Sequence, residues 1–132
     1  MTLGVRALTL DAHGRVFLVR HTYVPGWHLP GGGVEHGETF LDALRKELRE
    51  EANIELTGPP KLFALYHATQ WTRRDHVALY VVRDFTQTAP RLPDREIAEC
   101  GFFARDALPV GVAKATLRRL AEFDGAPVSE TW

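Results

Sequence analysis

Cysteine is nearly absent from this sequence: Cys100 is the single thiol in 132 residues. No intrachain disulfide can form, and a reducing cytoplasm is the expected compartment. An excess of one charge is also missing, because 16 basic and 17 acidic residues leave a formal net charge of −1. That balance gives no broad attraction for a phosphate backbone or an anionic membrane. Any anion binding must therefore be local, and long nucleic acid is disfavoured. No apolar run approaches the ~20 residues that span a bilayer. No basic start leads into an apolar segment of the signal-peptide kind. Repeats and low-complexity stretches are lacking too. What is present suits one domain over residues 1–132: 45% hydrophobic and 25% charged residues, in a chain long enough to bury its own core.

Strand patterning dominates the first part. Leu3 to Leu10 alternates in part, Asp11 to Gly14 has turn chemistry, and Arg15 to Arg20 reads as the strand closing a hairpin. The stretch from His21 to Gly33 is too rich in glycine and proline to be regular. Thr39 to Ala52 is the clearest helix, and Gly58-Pro59-Pro60 ends what precedes it. Leu62 to Gln70 and His76 to Arg83 predict two strands joined by the polar Thr72 to Asp75. Thr86 to Arg95 reads as a loop, and Cys100 to Ala104 as a short strand. Val112 to Phe123 predicts a second helix, with Ala115, Leu117 and Leu120 as candidates for its buried side. The last residues read as a loose tail in which Trp132 has the means to dock. Strands, a central helix, more strands and a last helix indicate α+β, a mixed sheet between helices.

The segment Pro30 to Ile54, PGGGVEHGETFLDALRKELREEANI, sets three glycines before a helix crowded with carboxylates. At roughly 100° per residue, Glu50 and Glu51 fall within about 60° on either side of Glu47. Leu41, Leu44, Leu48 and Ala52 form the neighbouring apolar stripe. Glu47 and Glu51 are like charges one turn apart, which costs a few tenths of a kcal/mol. Lys46 reaches Glu50 at the next turn, in the weaker order of charges. A hard divalent cation would relieve the repulsion, since such ions take oxygen ligands and keep several waters. Gly31, Gly32 and Gly33 would let the backbone take unusual φ values and approach a ligand, offering carbonyls to metal or N–H groups to phosphate. A glutamate-rich helix face alone is ordinarily just solvated; the combination with the glycines and Glu38 is what points to a site.

These residues resemble the Nudix box: Gly32, Glu38, Lys46-Glu47-Leu48, Glu50-Glu51 and Asn53-Ile54 fall on its spacing. Trp27 to Gly32 is similar to the usual lead-in, and Glu96 to Pro109 resembles the family's closing strand. Two positions depart. Lys46 stands where the family usually has Arg and offers no planar fork. Asn53 stands where it has Gly, a mild exchange at a left-handed helix end.

The resemblance implies a Nudix-like α/β/α sandwich. It also implies Mg²⁺-dependent hydrolysis (with Mn²⁺ as the alternative ion) of a pyrophosphate bond in a nucleoside diphosphate linked to another group. It assigns Glu47 and Glu51 to catalysis and Glu47, Glu50 and Glu51 to metal. The Gly32 carbonyl and Glu99 are candidate extra ligands, with Glu96 the rival of Glu99. Glu38 is expected to support the loop. Arg20, Gly31 and Gly33 are candidates for substrate binding, with a small nucleotide as partner. Some family members are homodimers, and no pairing face is legible here. A non-catalytic nucleotide sensor on the same fold is the alternative, but it would be expected to lack these glutamates. Arg73, Arg74, Trp71 and Tyr23 are weaker candidates for phosphate or base contact. Trp27 reads as packing. The six histidines show no metal-ligand spacing.

Overall fold

A computed structural model describes residues 1–69 and 75–132. The expected turn after Leu62 to Gln70 falls mostly outside them, as do Trp71, Arg73 and Arg74. Eleven elements are found in those residues: β1 (Thr2–Thr9), β2 (Val16–His21), β3 (Trp27–His28), β4 (Gly31–Gly33), α1 (Phe40–Ala52), β5 (Glu55–Leu56), β6 (Lys61–Ala68), β7 (Asp75–Val82), β8 (Phe85–Thr86), β9 (Ile97–Phe103) and α2 (Lys114–Phe123).

The strands form two principal sheets and a small ribbon. One sheet runs β4-β1-β7-β6, the other β3-β2-β9, and β5 pairs with β8. β1 and β7 are parallel while their outer neighbours pair antiparallel, so the sheet is mixed as expected. The first hairpin needs correction. Asp11 and Gly14 do build the turn, with Asp11 Oδ1 accepting the His13 and Arg15 N–H groups at 2.9 Å. Only Leu10 and Val16 then bridge, after which β1 and β2 part into different sheets. The glycine-rich segment is also more regular than expected, since β3 and β4 come from it.

Alternation along the strands makes two cores. Leu8, Leu10, Val16, Leu18, Leu79 and Val81 turn to one face and pack with Leu120 of α2. Val5, Ala7, Phe17 and Val82 turn to the other and pack with Ala43, Leu44, Leu48 and Ala52 of α1. A two-residue side-chain period can serve both faces only if each is covered. The helices supply that cover, giving the α/β/α layering.

α1 is defined at both ends. Thr39 accepts the Asp42 N–H at 3.0 Å while Asp42 accepts the Thr39 N–H at 3.0 Å, a reciprocal cap. Asn53 ends the helix in the left-handed region at φ 55°, as its position predicts. α2 starts later than expected, and its buried face differs. Leu117 is 46% exposed, whereas Thr116, Arg119 and Leu120 are buried. With Glu122 they are the buried residues of α2, and three of the four are polar, so a count of apolar residues misses this face. The last residues are not loose: Trp132 packs edge-on against Tyr66 at 5.3 Å.

Candidate active site

β4 edges the four-stranded sheet and consists of glycines for a steric reason. A Cβ on Gly32 would stand 2.6 Å from Glu47 Cδ, and one on Gly31 would stand 2.9 Å from Arg6 Cα. α1 thus lies so close to β4 that the Glu47 carboxyl fills the space of a missing side chain. Neither glycine has a positive φ. Close approach, and not the unusual φ expected from sequence, is what requires them.

Ladder register then sorts the main-chain groups. Ala7 N–H donates to the Pro30 carbonyl at 2.9 Å and Val34 N–H to the Leu3 carbonyl at 2.8 Å. Hydrogen-bonded pairs alternate along an antiparallel ladder, so Val5 and Gly32 form the pair between them. The Gly32 carbonyl faces β1 in that pair, and its second lone pair is what it has to offer a cation. Gly31 and Gly33 turn their main-chain groups outward. The Gly31 N–H donates to Glu51 Oε2 at 3.1 Å.

The three helix carboxylates have different surroundings. Glu51 is buried, and its Oε1 lies 3.4 Å from His21 Nε2. Glu47 is half-buried. Burial first, then Glu51 and Glu50, push its carboxyl up from 4.5 to about 7, while Lys46 and Arg6 pull it back. Glu50 is exposed. Lys46 does not reach for Glu50: its ammonium pairs with Glu38 at 3.1 Å and Glu35 at 3.6 Å. Glu38 also accepts the Glu35 N–H at 2.8 Å, so it braces the loop entering α1.

Arg6 is a site residue that the sequence reading missed. It stands opposite Gly31 in the β1–β4 register and donates to the Leu29 carbonyl at 2.9 Å. Burial lowers its guanidinium pKa, and Glu51 and Glu47 counter that shift. His21 was passed over as one of six similar histidines. A single cation or imidazole in a strand carries no spacing signal; only the cross-strand register reveals either.

A cavity of about 940 Å³ joins these groups. Arg6, His21, Tyr23, His28, Gly31 to Gly33 and Glu51 line it from the β1–β4 region. His76, Lys114, Arg118 and Trp132 line it from β7, α2 and the segment beyond. Burial holds the His28 imidazole below its ordinary pKa, and its Nε2 lies 2.9 Å from the Pro25 carbonyl.

Arg20 and Glu99 are brought to each other and not to α1. They are register partners across β2 and β9 and form an ion pair, with Arg20 also 5.9 Å over the Trp27 ring. Cys100 and Phe102 pack on the α1 side, so by alternation Glu99 lies on the face of Phe103, away from the helix carboxylates. Glu99, expected as an extra metal ligand, and Arg20, expected as a phosphate contact, are thus paired with each other on an exposed surface. Glu96 is nearer the cleft: after burial, Glu51 and then Glu96 push the Tyr23 phenol up. Trp27 is buried packing, edge-on to Phe103 at 5.0 Å.

Oxygen donors make the helix face suitable for a hard cation. Glu47 supports that fit, since Lys46 and Arg6 leave its charge under-compensated. Among the described residues, no three His, Cys, Asp or Glu side chains are gathered tightly enough to hold a metal by themselves. Carboxylates supplemented by water are the fitting ligand set.

The sequence model of the NUDIX domain matches residues 1–123. Over 70 residues the chain is 42% identical to an RNA pyrophosphohydrolase of Halorhodospira halophila, covering 53% of this chain and 37% of that protein. Over 64 residues it is 44% identical to the nucleoside triphosphatase NudI of Escherichia fergusonii, covering 48% and 40%. The chain's matches thus span roughly two fifths of these curated relatives' lengths. A crystal structure of a MutT NUDIX hydrolase from Burkholderia pseudomallei superimposes with a TM-score of 0.76 at 26% identity, covering 91% of this chain and 95% of that one.

Proposed function

The chain belongs to the NUDIX domain family, and we propose that it is a metal-dependent hydrolase of a pyrophosphate bond in a small nucleotide. The observation that carries this reading is the packing of α1 on β4. Glu51 is tied to the Gly31 N–H and lines a cleft of nucleotide size, and Glu47 fills the space left by Gly32, which lines the same cleft. The names of the curated relatives, a pyrophosphohydrolase and a nucleoside triphosphatase, support anhydride chemistry.

Glu47, Glu50 and Glu51 would hold the cation, Mg²⁺ or alternatively Mn²⁺. When bound it neutralises phosphate charge and eases ionisation of water. Glu47 is the proposed base: it stands at the glycine strand, and before a cation binds, burial with Glu51 and Glu50 beside it holds its carboxyl up at about 7. Glu51 is held rigid by Gly31 and His21, which fixes the direction of its oxygens. The Gly33 N–H faces outward and is available to a phosphate oxygen. Arg6, anchored on the Leu29 carbonyl, supplies the buried positive charge on that side.

The test is incubation with Mg²⁺ and nucleoside triphosphates, nucleotide sugars and ADP-ribose, with chromatographic separation of products. Cleavage of one class between phosphates, stopped by a chelator, is expected. Nucleotide binding without cleavage of any class would contradict the hydrolase reading and favour a sensor.

A further inference from the structure

α2 buries a guanidinium where an apolar side chain would ordinarily pack. Arg119 is 0% exposed. Its guanidinium lies 4.2 Å from the Tyr66 ring and 4.8 Å from the Trp132 ring. Its Nε pairs with Glu122 at 2.9 Å, and its Nη1 donates to the Trp132 main-chain oxygen at 2.6 Å. Glu122 also accepts the Tyr66 hydroxyl at 2.6 Å and the Ser129 N–H at 2.9 Å. The same segment is tied to β6: His67 N–H donates to the Glu130 carbonyl at 2.8 Å and Trp132 N–H to the His67 carbonyl at 2.9 Å.

A buried ion pair is a poor device for stability alone, since desolvation offsets most of its attraction. Here the bonds of the pair converge on one result, the placement of residues 129–132. What they place is an indole. Trp132 is partly buried against the core of the α2 face and lines the same cavity as Glu51 and Gly31.

We propose that Trp132 is a specificity-determining residue that packs against the planar base of the nucleotide, with Arg119 as its positioning residue. The proposal rests on the hydrolase reading for its substrate. The lining holds both kinds of partner: main-chain N–H groups at β4 and the cations Arg6, Lys114 and Arg118 suit phosphates, and the Trp132 indole is the planar apolar surface among them. Aromatic surfaces accept any base by stacking, so Trp132 would favour nucleosides over base-free phosphates without strongly ranking the bases.

The experiment uses the full chain with Trp132→Ala and Trp132→Phe, each first shown folded by circular dichroism. With the nucleoside triphosphate that the wild type cleaves best, Trp132→Ala is expected to raise KM by about tenfold with kcat little changed, and Trp132→Phe to recover most of it. Inhibition by inorganic tripolyphosphate, which has no base, should be the same in all three. A KM that stays at the wild-type value, or tripolyphosphate inhibition that weakens as much as nucleotide binding, would overturn the proposal. If the wild type cleaves nothing, the hydrolase reading fails separately. Calorimetric binding of a nucleoside triphosphate then decides the role of Trp132, and equal affinity in wild type and Trp132→Ala overturns it.

Discussion

Glu47 shows how one residue's surroundings set its chemistry. Its carboxyl rises from 4.5 to about 7, with burial the largest cause. Between those values the folded chain keeps a proton that the unfolded chain has lost. Folding stability contributed by this group is therefore full below about 4.5 and declines as pH rises through about 7. Thermal unfolding in a chelator should show it: the midpoint of wild type relative to Glu47→Gln is expected to fall across that window. Mg²⁺ at pH 8 should restore the wild type and not Glu47→Gln. Gly32 is coupled to the same carboxyl. Gly32→Ala would place a methyl 2.6 Å from Glu47 Cδ, so either the strand or the carboxylate must move. A misplacement near 1 Å commonly costs about 100-fold in turnover, and kcat measured beside circular dichroism would separate that loss from unfolding. The glutamates were legible from their spacing on a helix. Arg6 and His21 were not, because a lone charge in a strand is placed by its cross-strand neighbours. The face that Glu99 takes was not legible for the same reason: strand parity decides it, and parity needs the register.

Among the elements, α1 was read almost to the residue. Its apolar stripe is periodic, Thr39 and Asp42 close its start, and Asn53 closes its end. Helix formation here depends on local chemistry, which sequence carries directly. Thr39→Ala should cost about 1 kcal/mol, measured as a shift in denaturant midpoint. Turnover at saturating substrate should be little changed, because the cap lies two turns from Glu47. The C-terminal end of α1 is held differently. Gln87 donates to the Ala52 carbonyl at 2.7 Å, Asn53 to Ala89 at 2.8 Å and Arg91 to Glu50 at 2.8 Å, so the loop after β8 straps the helix. None of those long-range bonds has a sequence signature. α2 was misread because Thr116 and Arg119 occupy buried positions. β4 was missed because three glycines have no strand propensity of their own; tertiary packing of α1 and β1 makes the strand.

On the scale of the molecule, the layered class followed from element order, while the division into two sheets did not. β1 and β2 look like a hairpin in sequence, and only the pairing of β1 with β7 and β2 with β9 draws them apart. That parting leaves β4 at a sheet edge, open to α1 on one side and to the cleft on the other. A net charge of −1 gives the molecule no broad field for anions, so the proposed phosphate recognition falls to local donors. Among the described residues no helix is long and apolar enough to cross a membrane.

In the proposed reaction, the carboxylates packed on the glycine strand hold what cleaves a phosphate anhydride. Glu51→Gln tests it most directly, because it keeps the side chain's shape and removes the charge held by the Gly31 N–H. Product formation would be followed at saturating Mg²⁺ on the nucleotide that the wild type cleaves. A fall in kcat of at least about 100-fold, with the fold intact, is expected. A correctly folded Glu51→Gln chain that turns over at the wild-type rate would contradict it.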